Sequence, residues 1–305
     1  MRNRRPGQAS QGVPNRWLRV ALMSELAGPA HRATDSLHSM IYFAPEPEEQ
    51  FVAAGLRPGR MCYFASRSAP MGAVSAGVTT ATFVNFNPDL VAKYIPRAWT
   101  LAGIDDILAA RMRGADLALR RLLGDAAESV EMKELADLAR EATTVLTPEG
   151  RPLYAGHAGL AWPDQPHLVM WHAATLLRES RGDGHTMALA HAGLSGIESI
   201  VTHTATGRGF TVDAAKLLRG WSDEQWHAAQ EGLCKRGLMD GDALTEQGAA
   251  LRANIEAETD ELDAAPWEHL GEERTRRLVE LGKGLTRVIV ANGAFSAPGV
   301  FSGSK

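Results

Sequence analysis

The stretch TVDAAKLLRGWSDEQWHAAQEGLCKRGLMDGDALTEQGAALRANIEAETDEL, residues 211–262, sets apolar residues at three- and four-residue intervals between glycine stops. That rhythm predicts helices joined by tight turns. Ser222, with Gln225 three residues on, makes a capping box that starts one helix, and Arg236-Gly237 ends it. A short Asp-Gly turn at 240–243, the pair Leu244-Thr245 and a long charged helix then follow.

Outward from this stretch the same period holds. It predicts helices near 31–43, 48–55, 60–68, 88–98, 104–123, 130–145, 167–180, 185–192, 195–205, 211–219, 223–236, 246–263 and 271–290, with no convincing alternating strand. The expected fold class is mainly α. Pro58, Pro70, Pro88 and Pro96 punctuate the first half, and TPEGRPLYAGHAGLAWPDQP at 147–166 is the strongest internal break. The domain plan is a disordered basic arm over 1–16, a helical domain over 17–146, a linker over 147–166, a second helical domain over 167–290 and a flexible tail over 291–305. GRMCYFASRSAPMG from Gly59 and GHTMALAHAGLSG from Gly184 share an order of glycine, basic residue, apolar helix and small-residue turn. A pseudo-twofold duplication and chance are both open as explanations.

With 305 residues, 45% of them apolar, the chain can bury a sizeable core. Its 32 Lys and Arg against 36 Asp and Glu leave −4, which argues against a broad surface for nucleic acid or anionic membrane. Cys62 and Cys234 stand apart from each other and from any Cys/His ligand spacing, so neither a disulfide framework nor a structural zinc site is indicated. No stretch approaches the roughly 18 apolar residues of a membrane span. No signal-peptide core follows the polar opening either. A cytoplasmic protein with no membrane segment is expected.

Leu233, Gly237 and Leu238, then Leu244, Thr245 and Gly248, form the phrase LxxxGL…LTxxG. With the helices around it, this phrase resembles the recognition helix, wing and following helix of the MarR-type winged helix-turn-helix family. LHSMIYFAPE (37–46), YFASRSAPMG (63–72), TFVNFNP (82–88) and WHAATLLRESRGDGH (171–185) are similar to phrases in a group of actinobacterial proteins that carry the MarR-like label. The resemblance implies a winged helix-turn-helix scaffold, with ligands between dimer helices and reading heads, and it implies no reaction. DNA-reading members of the MarR family place Ser, Thr, Arg and Asn on the exposed recognition-helix face and an Asp-x-Arg phrase in the wing. Here the helix reads SDEQWHAAQEGLCKRGL, the wing has no arginine, and residues 222–248 hold six acids against two bases. Phosphates repel such a face. The expectation is a retained scaffold whose DNA-reading surface is lost.

Residues 178–185 read RESRGDGH. One reading is a plain helix-to-helix turn, with Gly182 in a left-handed cap and Asp183 capping the next helix. The other adds chemistry. His185 then lies in a first helical turn, where the helix dipole keeps the imidazole neutral for proton transfer beside Asp183, and Arg178 binds an anionic group. Arg181 is expected on a solvated face. His172, His191 and His203 flank the region at spacings that match no one-face ligand pair, so no metal site is assigned.

His31, Asp35 and His38 form one helix stripe, with Glu46 beyond, explained by a helix face with a capping carboxylate, by a metal site or by a proton relay. Arg67, set among apolar neighbours, needs either an internal carboxylate or a ligand anion. Asn85 and Asn87 are expected to turn the chain at Pro88, and Asn87 is placed to orient a ligand. The candidate catalytic pair is His185 and Asp183; the candidate ligand-binding set is Arg67, Arg178, His38, His172 and Asn87. No Walker loop, dinucleotide GxGxxG, GxSxG elbow or HExxH occurs, so the cofactor is left open.

These readings point to a protein, or an acid–base enzyme of specialised metabolism, that binds a small organic anion between two helical halves as a monomer or homodimer. A MarR-like DNA-binding regulator and a haem-binding protein are the alternatives.

Overall fold

The computed structural model describes residues 16–295, with side chains from Glu25 onward. The basic arm up to residue 15 and the tail from 296 lie outside the described residues. The chain is mainly helical, as expected. In order come α1 (Arg16–Ser39), α2 (Pro45–Ala53), α3 (Arg60–Ser68), α4 (Ala76–Thr82), α5 (Pro88–Ala92), α6 (Ile104–Leu123), α7 (Val130–Thr143), α8 (Pro152–Ala158) and α9 (Pro166–His191). Then follow α10 (Gly196–Thr204), α11 (Val212–Arg219), α12 (Asp223–Lys235), the strands β1 (Met239–Asp240) and β2 (Ala243–Leu244), α13 (Glu246–Leu262), α14 (Ala264–Leu270) and α15 (Glu272–Ala291). No helix among the described residues is long and apolar enough to cross a membrane.

Local chemistry starts these helices. Proline opens α2, α5, α8 and α9, where its fixed φ suits the first turn and its missing N–H has no partner to lose. Capping boxes Ser195/Glu198 and Ser222/Gln225 start α10 and α12. The Asp-Gly turn closes a two-strand antiparallel hairpin with Met239 opposite Leu244 and Asp240 opposite Ala243.

Three apolar cores hold the chain. The first gathers residues of α1, α6, α7, α9, α14 and α15, with Trp171 and Trp267 buried in it. It draws on both sides of the 147–166 stretch, which itself carries α8. The second is aromatic, built on Phe51, Phe64, Phe83 and Phe86 with Ile107 of α6. The third joins Ala188 and Leu189 of α9 to the α10–α13 head through Trp226, Leu233 and Ile255. Each large side chain buried in this way contributes about 2–3 kcal/mol relative to exposure.

One expectation is overturned. RGDGH does not turn the chain: Gly182, Asp183 and Gly184 lie inside the unbroken α9. Two glycines cost a helix about 1 kcal/mol each, and tertiary contacts outweigh that cost. A Cβ at Gly184 would stand 3.0 Å from Arg151 Nη1 and 3.4 Å from Leu262 Cβ, so the missing side chain lets α8 and α13 close on α9. The internal echo also fails to match position with position. Gly59 is the N-cap of α3 at φ 80°, whereas Gly184 is mid-helix.

Candidate ligand site

A cleft of about 930 Å³ opens where the first three helices meet α9 and α11. Tyr42, Phe51, Tyr63 and Phe86 give it aromatic walls, and Phe210 and Phe295 approach from later in the chain. Its polar wall is cationic. Arg60, Arg178 and Arg219 line it against Asp35 and Glu48.

The arginines differ in how they are held. Arg67 lies behind the cleft, donating from Nη2 to Glu179 Oε2 at 2.9 Å and from Nη1 to the Tyr63 hydroxyl at 2.9 Å, with its guanidinium 4.3 Å from the Phe83 ring centroid. Its anion is therefore an internal carboxylate. Arg178 donates to Asp35 and lies 3.5 Å from Glu179 Oε1. Burial pushes both acids up, yet the arginines hold Asp35 and Glu179 below the ordinary carboxylate range. Both stay ionised, and each cancels part of the buried positive charge.

Among the described residues, no carboxylate pairs with Arg219. It ends α11, and Gly220 then takes the left-handed conformation at φ 76°, where a Cβ would stand 2.7 Å from Leu90 Cδ2. The guanidinium sits 4.3 Å from the Phe86 centroid and 5.0 Å from that of Phe210, and its Nε meets no acceptor. Burial pulls its pKa below the ordinary guanidinium value, Arg67 and Arg178 add to that, and the opposing group is the Tyr63 phenol rather than a carboxylate. Burial pushes the Tyr63 phenol up, but Arg67, Arg219 and Arg178 together hold it below its usual value.

A second phenol, Tyr42, lines the cleft, and a buried pair stands behind it. The Thr175 hydroxyl donates to Trp171 O at 2.8 Å, so it accepts from His38 Nδ1 at 2.9 Å. That tautomer leaves His38 Nε2 to accept the Tyr42 hydroxyl at 3.3 Å. Burial pushes the His38 imidazole well below its usual range, with the charge of Arg178 adding to it. His38 thus stands behind Tyr42 as a neutral base. Asp35 and His38 of the expected stripe reach this region, whereas Glu46 turns away to pair with Arg121.

Other expected site residues lie elsewhere. His185 does not line the cleft, and it bonds Thr259 of α13 at 2.9 Å. Its pKa falls to about 4, mainly through burial rather than through a helix end. Asp183 accepts from the backbone N–H of Leu153 at 3.0 Å and of Tyr154 at 2.9 Å, so it caps α8 from the middle of α9. Burial raises its pKa to about 6. Arg181 is not solvated: it pairs with Asp260 at 2.7 Å and Asp263 at 3.3 Å.

His172 packs edge-on against Trp162 at 4.7 Å. Asn87 caps α5 and reaches the head, donating to Gly220 O at 2.9 Å and Gln225 Oε1 at 3.1 Å. Trp221 Nε1 returns a bond to Asn85 O at 2.9 Å. The turn between α11 and α12 is thereby latched to the aromatic core beside Arg219. Among the described residues, no three His, Cys, Asp or Glu side chains group so as to hold a metal ion.

Arg219, Tyr42 and Tyr63 escape a reading of the sequence. LLRG looks like an ordinary helix end with a basic last turn. Only the juxtaposition of Phe86 and Phe210, 124 residues apart, marks Arg219.

The sequence model of a helix-turn-helix family matches residues 27–296. No curated protein and no solved structure matches the chain. With the match covering nearly all the described residues, the chain belongs to that helix-turn-helix family.

Proposed function

We propose that the protein binds a small organic anion with an aromatic or apolar body, seated in the cleft with its anionic group on Arg219. The observation that carries this reading is a partly buried guanidinium, stacked between two phenylalanines and lacking an acid, on the wall of a 930 Å³ cleft. A cation in that setting attracts an anion far more strongly than one in water, and its planar fork suits a carboxylate, sulfonate or phosphate. Tyr42 backed by His38 supplies a proton-transfer pair for a ligand that is also transformed. The MarR-type winged scaffold belongs to the same proposal, supported by the hairpin that follows α12.

Fluorescence titration with anilinonaphthalene sulfonate tests the reading, with neutral phenylnaphthylamine as control. Arg219→Gln is expected to weaken the sulfonate about tenfold, the value of a charge-assisted hydrogen bond, and to leave the neutral probe unchanged. Equal affinity of wild type and variant for the sulfonate would refute it.

Family membership favours a second reading, a DNA-binding regulator. The exposed side of α12 and the hairpin carries Asp223, Glu224, Glu231, Asp240 and Asp242. Arg236 is taken by Glu198 at 3.0 Å. At most weak duplex binding through this face is therefore expected in a low-salt anisotropy titration. Nanomolar sequence-specific binding that survives deletion of residues 1–16 would favour the regulator instead.

A further inference from the structure

Arg111 of α6 is 3% exposed, with its guanidinium 4.8 Å from the Trp171 ring centroid. Neither Nη1 nor Nη2 meets an acceptor among the described residues. The indole face offsets part of the buried charge but leaves the in-plane N–H directions open. Arg111 acts on Glu179, but Arg67 and Arg178 both act on it more strongly. Arg67, Arg111, Arg178 and Arg219, in and behind the cleft, therefore have Asp35 and Glu179 to compensate them, whereas Arg181 pairs separately with Asp260 and Asp263 and Asp183 caps α8. Arg219 is one surplus charge, and it faces the cleft. Arg111 is the other, and it does not line the cleft.

What surrounds Arg111 is basic and neutral. Its charge is the strongest acting on both His157 of α8 and His172 of α9. These imidazoles are 1% and 2% exposed, and Nε2 of each has no partner. Burial, with Arg111 next, pushes His157 well below its usual range and His172 to about 4, so both are neutral at physiological pH. A neutral imidazole carries one N–H and can present it at Nε2. His38, by contrast, already spends both nitrogens on Thr175 and Tyr42. Three buried side chains with unpartnered nitrogens, from α6, α8 and α9, thus lie within electrostatic reach of one another, with no acid among the three.

We infer that Arg111, His157 and His172 hold a small inorganic anion, such as chloride, as a resident part of the fold. An anion accepts the imidazole N–H groups and neutralises the guanidinium. Water would satisfy the hydrogen bonds but leave the charge uncompensated. This site is separate from the cleft and does not rest on the ligand assigned there.

The test uses the full chain. Thermal unfolding is followed in chloride, bromide or nitrate at constant ionic strength, with bulky gluconate as the balancing anion. The midpoint is expected to rise with the small anions, and His172→Gln to raise the half-saturating concentration about tenfold. Arg111→Met is expected to abolish the anion-specific rise. Crystals soaked in bromide should show an anomalous peak between the three side chains, a readout that does not depend on any variant folding. A midpoint indifferent to anion identity, or a bromide map with only waters at Arg111, would overturn the inference.

Discussion

The interior around α9 and the outer face of α12 carry opposite charges under opposite conditions. Inside, in and behind the cleft, Arg67, Arg111, Arg178 and Arg219 lie among tryptophan, tyrosine and phenylalanine rings with Asp35 and Glu179 as the carboxylates beside them. Outside, residues 222–248 carry six acids and two bases, and the acids stand exposed. Exposed charges are screened by water, so each is worth little. Buried charges interact strongly, and one left without its counter-ion is costly. The difference separates a surface whose charges are individually weak from an interior whose charge pairing governs stability.

The sharpest way to break this comparison is Glu179→Gln. It strands Arg67 on a neutral amide in a site only 2% exposed at the carboxylate, while Arg178 keeps Asp35. A loss of about 3–5 kcal/mol is expected in denaturant unfolding. The matched change on the outer face, Asp223→Asn with Glu224→Gln, should stay within about 0.5 kcal/mol per residue. Similar losses from the two would erase the distinction.

A second, smaller effect is pH dependence. Burial lowers His31, His172 and His185 to about 4. Each then binds fewer protons in the folded state than in the unfolded one between about pH 4 and 6.5, so its contribution to stability falls as pH falls through that window. Asp183 and Asp263, raised by burial to about 6 and about 7, work the other way. They hold protons in the folded state that the unfolded chain has released, so stability rises as pH falls from 7 towards 4. His185→Gln is accordingly expected to flatten the acid loss measured by unfolding midpoints, and Asp183→Asn to steepen it. At neutral pH the asparagine oxygen can still accept from Leu153 and Tyr154, which leaves stability nearly unchanged. Parallel pH profiles for both variants and the wild type would rule out this account.

The smallest effect sharpens the reading of α9. Gly182 is helical and its added Cβ meets only Glu179 Oε2 at 3.8 Å, so Gly182→Ala should stabilise the protein by up to about 1 kcal/mol. Gly184→Ala should give no such gain, because its Cβ presses on Arg151. A melting curve for each decides the matter, and destabilisation by Gly182→Ala would reinstate a special backbone role for that glycine.

Much of the fold is legible along the chain. The apolar period predicts α3 and α6 with the bounds they have, and Ser222 with Gln225 predicts the start of α12. These features depend on neighbours within one or two helical turns. The period predicts nothing at α4, α8 or α14, which are short, and α8 is fastened by Asp183 from 30 residues away. RGDGH reads as a break in any local window because its glycines disfavour helix. Only contact with α8 and α13 makes it continuous.

The same divide runs through the site. That Arg67 needs an anion follows from its apolar neighbours, since a buried cation must be compensated. That the anion is Glu179, 112 residues later, follows only from the packing of α3 against α9. Arg219 is in sequence a last-turn cation like many others, and Arg111 one more charge on a helix. Their candidacy as anion sites arises where tertiary structure buries each beside aromatic rings and away from every free carboxylate. Local chemistry along the chain determined the long capped helices and which side chains carry charge; burial and pairing, which act between residues distant in sequence, decided the continuity of α9 and which of those charges are left without a partner.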